Sequence, residues 1–241
     1  MENILTRINE IDNYTSLYNR EACYTYNGHP IPRVTEILSL MLHDDYLMTW
    51  ANAIGLYKRK KYEDTLNEAA DIGGQVHGLI EEYLQTGSTA KDINLYRKEV
   101  CNAFKSFQLW WSIIIQNDFH IIWQEYKLTC PYFGGTLDML VEINGKKYLI
   151  DFKTSNHVGY KYFLQLAAYR YILRTEHNIE IDGCIVLQLD KKTSSFKEFV
   201  LDFSNIEHFA YINNCERAFL SLVYAYFNRL CVEDGFNKYF G

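Results

Sequence analysis

The chain has 241 residues, 24 basic and 30 acidic side chains, and a formal charge of −6. It is 48% apolar and 16% aromatic, which excludes disordered and collagenous classes and a protein that coats nucleic acid through bulk positive charge. At ~150 residues per domain the length allows one or two domains. A single domain over 1–241 is expected, mainly helical to 118 and sheet-bearing from 119.

No run reaches the ~18 consecutive apolar residues of a membrane span. Met1-Glu2-Asn3-Ile4 carries neither the basic nor the apolar region of a signal peptide. The expectation is a cytoplasmic or other reducing compartment and no membrane partner. The cysteines at 23, 101, 130, 184, 215 and 231 form no C-x-x-C pair, which argues against a zinc ribbon, an iron–sulfur clamp or a disulfide framework. Free core thiols are expected.

In chain order, Pro30 and Pro32 precede a first helix from about Val34. Apolar residues at three- and four-residue spacing predict helices near 45–58, 66–86 and 95–117. The texture changes at Ile121: residues 121–128 are β-branched and aromatic, and 135–143 and 146–153 alternate around Asn144-Gly145. Asn-Gly between alternating runs is a strong hairpin signal, and Pro131 lies between the first two of these strands. A helix over 160–174, strands over 183–190 and 196–202, and a closing helix over 206–230 follow. This order predicts an α/β (α+β) fold with a central mixed sheet of about five strands flanked by helices.

A two-residue turn at Asn144-Gly145 fixes the register. Ile143 faces Lys146, Val141 faces Tyr148, Met139 faces Ile150 and Leu137 faces Phe152, making one core face. The other face pairs Glu142 with Lys147, Leu140 with Leu149, Asp138 with Asp151 and Thr136 with Lys153. Opposed Cβ atoms lie ~4.5–5.5 Å apart, where like charges destabilise a sheet. At an effective dielectric near 20 that repulsion is on the order of a few kcal/mol. A divalent cation relieves it, and carboxylate oxygens suit Mg²⁺ or Mn²⁺. Metal-assisted hydrolysis of a phosphodiester, with the Lys153 ammonium beside the water, is the natural chemistry. Lys58-Arg59-Lys60-Lys61, Lys146-Lys147, Lys161 and Lys191-Lys192 could supply a local basic track or simply be solvated faces.

Asp138 followed by Asp151-Phe152-Lys153 resembles the PD-(D/E)XK nuclease signature. Gly135-Thr136-Leu137-Asp138, Gln165-Leu-Ala-Ala-Tyr169 and Gly74-Gln-Val-His77 resemble the G-x-x-D, Q-x-x-x-Y and G-x-x-H motifs of its RecB-like and phage-exonuclease branch. Pro32-Arg33-Val34-Thr35-Glu-Ile-Leu is similar to the entry segment of some members. The resemblance spans about 32–169 and implies a restriction-endonuclease-like core whose helical N-terminal half lines a DNA channel.

The resemblance makes Asp138, Asp151, Lys153 and Gln165 catalytic. It makes His77, Asp138, Asp151, the Phe152 carbonyl and, as a further candidate, Glu125 metal ligands. Tyr169, Lys161, Arg33 and Thr35 become DNA contacts. It implies a Mg²⁺- or Mn²⁺-dependent deoxyribonuclease, most readily an exonuclease of recombination, repair or phage DNA processing. Its substrate is single-stranded DNA or DNA with a free end, and a recombination or single-strand-binding protein is a candidate partner. No iron–sulfur cluster is expected, since the clustered cysteines are absent, and no nucleotide cofactor, since no phosphate loop is present. A phage-encoded chain would work inside the host cell. A catalytically inactive DNA-binding or scaffold subunit and a sequence-specific endonuclease remain as alternatives.

Overall fold

Two Asn-Gly dipeptides make tight reversals among the described residues. Asn144 and Gly145 take φ of 52° and 76°, the two left-handed conformations a type I′ turn requires. Asn27 and Gly28, at 48° and 81°, do the same between β1 (Tyr24–Tyr26) and β2 (His29–Ile31). That small hairpin is not among the expected elements, although it carries the same turn signal. The structure is a computed structural model that describes Tyr18 and residues 24–42, 62–89 and 92–240. The helix expected near 45–58, the basic run at 58–61 and Cys23 lie outside the described residues.

The remaining elements are α1 (Val34–Met41), α2 (Tyr62–Thr86), a 3₁₀ turn (Ile93–Leu95), α3 (Lys98–Ile114), β3 (Phe119–Thr129), β4 (Gly134–Ile143), β5 (Lys146–Lys153), α4 (Tyr160–His177), β6 (Gly183–Leu189), β7 (Phe196–Asp202) and α5 (Ile206–Phe240). The five-stranded sheet runs β3-β4-β5-β6-β7. Only β5 and β6 are parallel, because α4 carries the chain back between them. The expected mixed sheet flanked by helices is therefore present. Among the described residues no helix is long and apolar enough to cross a membrane.

Both faces of the sheet are buried, as flanking helices require. Val76, Ile80, Phe104, Phe107 and Trp110 of α2 and α3 pack on Met139, Val141, Ile150 and Phe152. Val34, Ile37, Leu166, Ile172, Phe219 and Val223 of α1, α4 and α5 pack on Leu137, Leu140 and Leu149. Helix α5 runs ten residues past the predicted end at 230. Phe227 is its last buried side chain, so the helix continues without the packing periodicity that marked its body. Cys101, Cys130, Cys184 and Cys215 are buried free thiols and Cys231 is exposed.

The predicted hairpin register holds from Ile143↔Lys146 to Met139↔Ile150 and then stops. Asp138 and Asp151, expected to face each other directly, lie just beyond this last pair, where β5 stays bound to β6 through Lys153. Two carboxylates at the cross-strand spacing would repel, and the strands part instead. The layer assignment of Leu137 changes with it: Leu137 packs in the α4 layer, not with Met139.

The change of layer is matched on the next strand. Glu125 has φ 44°, a left-handed conformation rarely adopted by non-glycine residues in a strand. Trp123 and Tyr126 both turn toward α4, where each ring meets His177. Gln124 and Glu125 both turn toward α2, reaching the Glu81 carbonyl and His77. Opposite them Leu137 and Leu140 face the α4 layer, while Met139 packs in the α2 layer and Asp138 reaches toward His77. Ordinary alternation would send Glu125 away from α2. The kink therefore delivers its carboxylate to the same place as Asp138.

Tyr169 explains the first glycine of the Gly135-x-x-Asp138 stretch. A Cβ on Gly135 would overlap Cε1 of Tyr169 and lie 2.7 Å from its hydroxyl oxygen. Gly135→Ala should lower unfolding free energy by about 1–3 kcal/mol through overpacking. Gly74→Ala, with open space around the added methyl, should raise it by about 0.5–1 kcal/mol, the helix-interior cost of glycine. Urea denaturation of the two variants measures both signs.

Candidate metal centre

Where β4 and β5 part, Phe152 would have continued the ladder opposite Leu137 as a hydrogen-bonded pair. Its backbone groups go elsewhere. The Phe152 N–H donates to Asp138 Oδ2 at 2.6 Å, and the Phe152 carbonyl accepts from His77 Nε2 at 3.1 Å. The backbone of one residue thus orients two side chains that the sequence separates by 61 positions. The Phe152 ring packs edge-on against His77 and Phe107, holding this backbone in place.

With Nε2–H committed to a carbonyl, Nδ1 is the nitrogen left to bind a ligand, the usual outer support of a metal-bound histidine. Nδ1 lies 3.6 Å from Asp138 Oδ1 and 3.7 Å from Glu125 Oε1. One atom from each of His77, Glu125 and Asp138 falls within 4.8 Å of the other two. One imidazole nitrogen and two carboxylates fit a divalent cation of the Mn²⁺ or Mg²⁺ kind. Of the expected ligands, the structure brings these three together, and it turns the Phe152 carbonyl to His77 instead.

Asp151 and Lys153 reach the fork from the α4 side. Lys153 Nζ donates to Asp151 Oδ1 at 2.8 Å and stands 5.0 Å over the Tyr162 ring, a cation–π contact. Asp151 Oδ2 is buried and has no hydrogen-bond partner. An orphaned carboxylate oxygen in the interior is costly, and a cation at the fork would satisfy it. Burial pushes the Asp151 carboxyl up to about 6 despite Lys153. Burial opposes charge on Lys153 as well, but Asp151 and Asp138 outweigh it and hold the ammonium above its ordinary value.

Gln165 and Tyr169, one turn apart on α4, are joined by a hydrogen bond from Gln165 Nε2 to the Tyr169 hydroxyl at 3.1 Å. Both are buried, and Tyr169, 3% exposed, is a core side chain lying on Gly135. Lys161 Nζ donates to the Leu42 carbonyl at 3.3 Å. Arg33 and Thr35 are exposed at the start of α1, which packs on α4 and α5. Arg33, not Thr35, occupies the N-cap. Of the basic runs, Lys146 pairs with Asp202 at the far end of β5 from Lys153, and Lys191 and Lys192 are held by Asn102 through their carbonyls. Tyr162 and the kink at Glu125 were not anticipated: one tyrosine among 20 carries no signal, and a left-handed glutamate leaves none.

No family model and no curated protein matches this sequence. Among solved structures, the chain is similar to the crystal structure of SSO0001, at 11% identity and TM-score 0.30 over 63% of this chain and 74% of that one. It is also similar to a phage-related exonuclease from Haemophilus somnus 129PT, at 12% identity and TM-score 0.35 over 85% and 96%. Likenesses this distant carry no argument about chemistry; the geometry of the fork does.

The titrations fix a sign. Burial opposes charge on His77, but Asp138 and Glu125 outweigh it and raise its pKa to about 9. Its stabilising charge is complete below the unfolded pKa of 6.5 and is lost as pH rises through about 9. Asp151, raised to about 6 from 3.8, begins to oppose folding as pH climbs through that interval. Both contributions fall as pH rises from about 4 to about 9. Thermal unfolding in chelator should show Tm declining over this span more steeply than in a His77→Gln/Asp151→Asn variant. Mn²⁺ should restore the wild-type Tm most at the alkaline end, since binding displaces the His77 proton.

Proposed function

We propose that this chain is a divalent-metal-dependent nuclease that hydrolyses phosphodiester bonds of DNA, acting from a free end. The observation that carries this reading is the convergence of His77, Glu125 and Asp138 on a fork whose other wall holds the Asp151–Lys153 ion pair. His77 Nδ1, Glu125, Asp138 and the unpartnered Asp151 oxygen would hold the ion. The chemistry supplied by a bound Mg²⁺ or Mn²⁺ there is polarisation of a phosphoryl oxygen and a lower pKa for an attached water.

The chain's own residues supply the rest. Asp151 and Tyr162 hold Lys153 charged and pointed, so its ammonium can orient the attacking water and meet negative charge developing on the phosphoryl oxygens. Asp138, pinned through Oδ2 by the Phe152 amide, keeps Oδ1 turned toward His77. Gln165 and Tyr169 brace the α4 wall. Lys161, Arg33 and Thr35 are assigned to substrate phosphates, and the described helices before residue 119 to the wall of the channel. Mg²⁺ or Mn²⁺ is the whole cofactor requirement in this reading. In this reading the protein works in a reducing compartment, where a recombination or single-strand-binding protein would deliver DNA.

Lys153→Ala and Asp138→Asn should each reduce Mn²⁺-dependent digestion of linear DNA by about 10²-fold or more, the scale set by loss of one group stabilising transition-state charge. Covalently closed circular DNA should stay intact. Wild type and Lys153→Ala degrading linear DNA equally poorly would leave a binding or scaffold subunit. Cutting of the closed circle would make the enzyme an endonuclease.

A further inference from the structure

The kink at Glu125 has a second product on the other face of β3. Trp123 and Tyr126 stack with ring centroids 4.2 Å apart and planes 14° from parallel. Residues three apart in a regular strand point to opposite faces, so this stack exists only because Glu125 is left-handed. His177, at the end of α4, closes edge-on against both rings, 5.1 Å from Trp123 and 5.8 Å from Tyr126. Tyr126 remains 37% exposed, and β3 is an edge strand. A stacked pair has one outer π-face for each ring, and a flat ligand can extend the column.

We propose that Trp123, Tyr126 and His177 form a base-stacking platform for single-stranded nucleic acid, a reading that rests on the nuclease assignment for its substrate. Three observations favour that occupant. The platform is covalently continuous with the metal cluster: Tyr126 adjoins Glu125, and Trp123 is two residues away, at most ~7.6 Å along the backbone. Among the described residues no further strand lies beyond β3 in the sheet, which leaves its outer edge for a polynucleotide passing from the fork to the rings. Lys127, exposed and paired with Thr136, alternates with Tyr126 back to the cluster's face, where its ammonium meets a backbone phosphate. Stacking does not discriminate among bases, and it needs bases that are unpaired. The platform therefore selects a single strand of any sequence.

The test compares an octathymidylate with an abasic oligomer of the same length and charge, each bound without divalent metal and followed by fluorescence anisotropy. Wild type should bind the base-bearing strand about tenfold tighter or more, the return from stacking one or two bases. Trp123→Leu/Tyr126→Leu should bring the ratio close to one, and Trp123→Phe/Tyr126→Phe, which keeps flat rings, should restore most of it. Equal wild-type affinity for the two oligomers, or a ratio that survives in the leucine pair, overturns the platform. The two readings fail separately. A protein that discriminates bases but cleaves no DNA keeps the platform and loses the nuclease assignment, whereas one that digests DNA without discriminating bases does the reverse.

Discussion

Two strands part company one pair too early, and the rest of the site depends on that. The hairpin ladder ends at Met139↔Ile150, although alternation would carry it on to Leu137 and Phe152. The N–H and C=O of Phe152 are freed in the interior, where an unpaired backbone group costs about as much as a lost hydrogen bond. They are satisfied by the Asp138 carboxylate and the His77 ring. The same two bonds that repair the backbone aim a carboxylate oxygen and an imidazole nitrogen at one point. Fold stability and site geometry are therefore one interaction counted twice, and Phe152, the central residue of Asp151-Phe152-Lys153, acts through its main chain.

A second distortion completes the arrangement. A non-glycine residue in the left-handed region costs on the order of 1–2 kcal/mol, and Glu125 sits there in the middle of an eleven-residue strand. Such strain persists where the surroundings over-determine it, and it concentrates at functional positions. Here it reverses the alternation of β3 at the place where β4 reverses its own, so both strands send an acid toward His77. Without a cation, the fork holds three carboxylates against one lysine and a histidine. Asp138 and Glu125 outweigh burial and raise the His77 pKa to about 9, and burial raises that of Asp151 to about 6, so the fork favours positive charge beside its acids.

Much of the frame was legible in the sequence. Asn144-Gly145 and the alternating runs around it gave the hairpin and the register of five cross-strand pairs, because turn chemistry and a period of two are local properties. Asp138, Asp151, Lys153 and His77 were singled out by spacing and by a family likeness, and the structure brings them to one fork. The parting of the strands was not legible. It arises from competition between cross-strand repulsion and the parallel pairing of β5 with β6, and the second partner lies more than thirty positions downstream. The left-handed Glu125 was equally hidden, since glutamate has no preference for that conformation and only the assembled sheet imposes it. Tyr169 resembles, by its motif, a ring for nucleic acid. In the fold it fills the space that Gly135 leaves, while on β3 the half-buried Trp123 stacks with the exposed Tyr126.

The central claim is that His77, brought in by α2, and the acids of β3 and β4 hold one divalent ion between them. Pulsed electron paramagnetic resonance of the Mn²⁺-loaded protein addresses it most directly. The account predicts a single tightly bound Mn²⁺ with hyperfine coupling to one imidazole nitrogen, lost in His77→Gln while the fold is retained. Absence of Mn²⁺ uptake, or a nitrogen coupling that persists in His77→Gln, would contradict it.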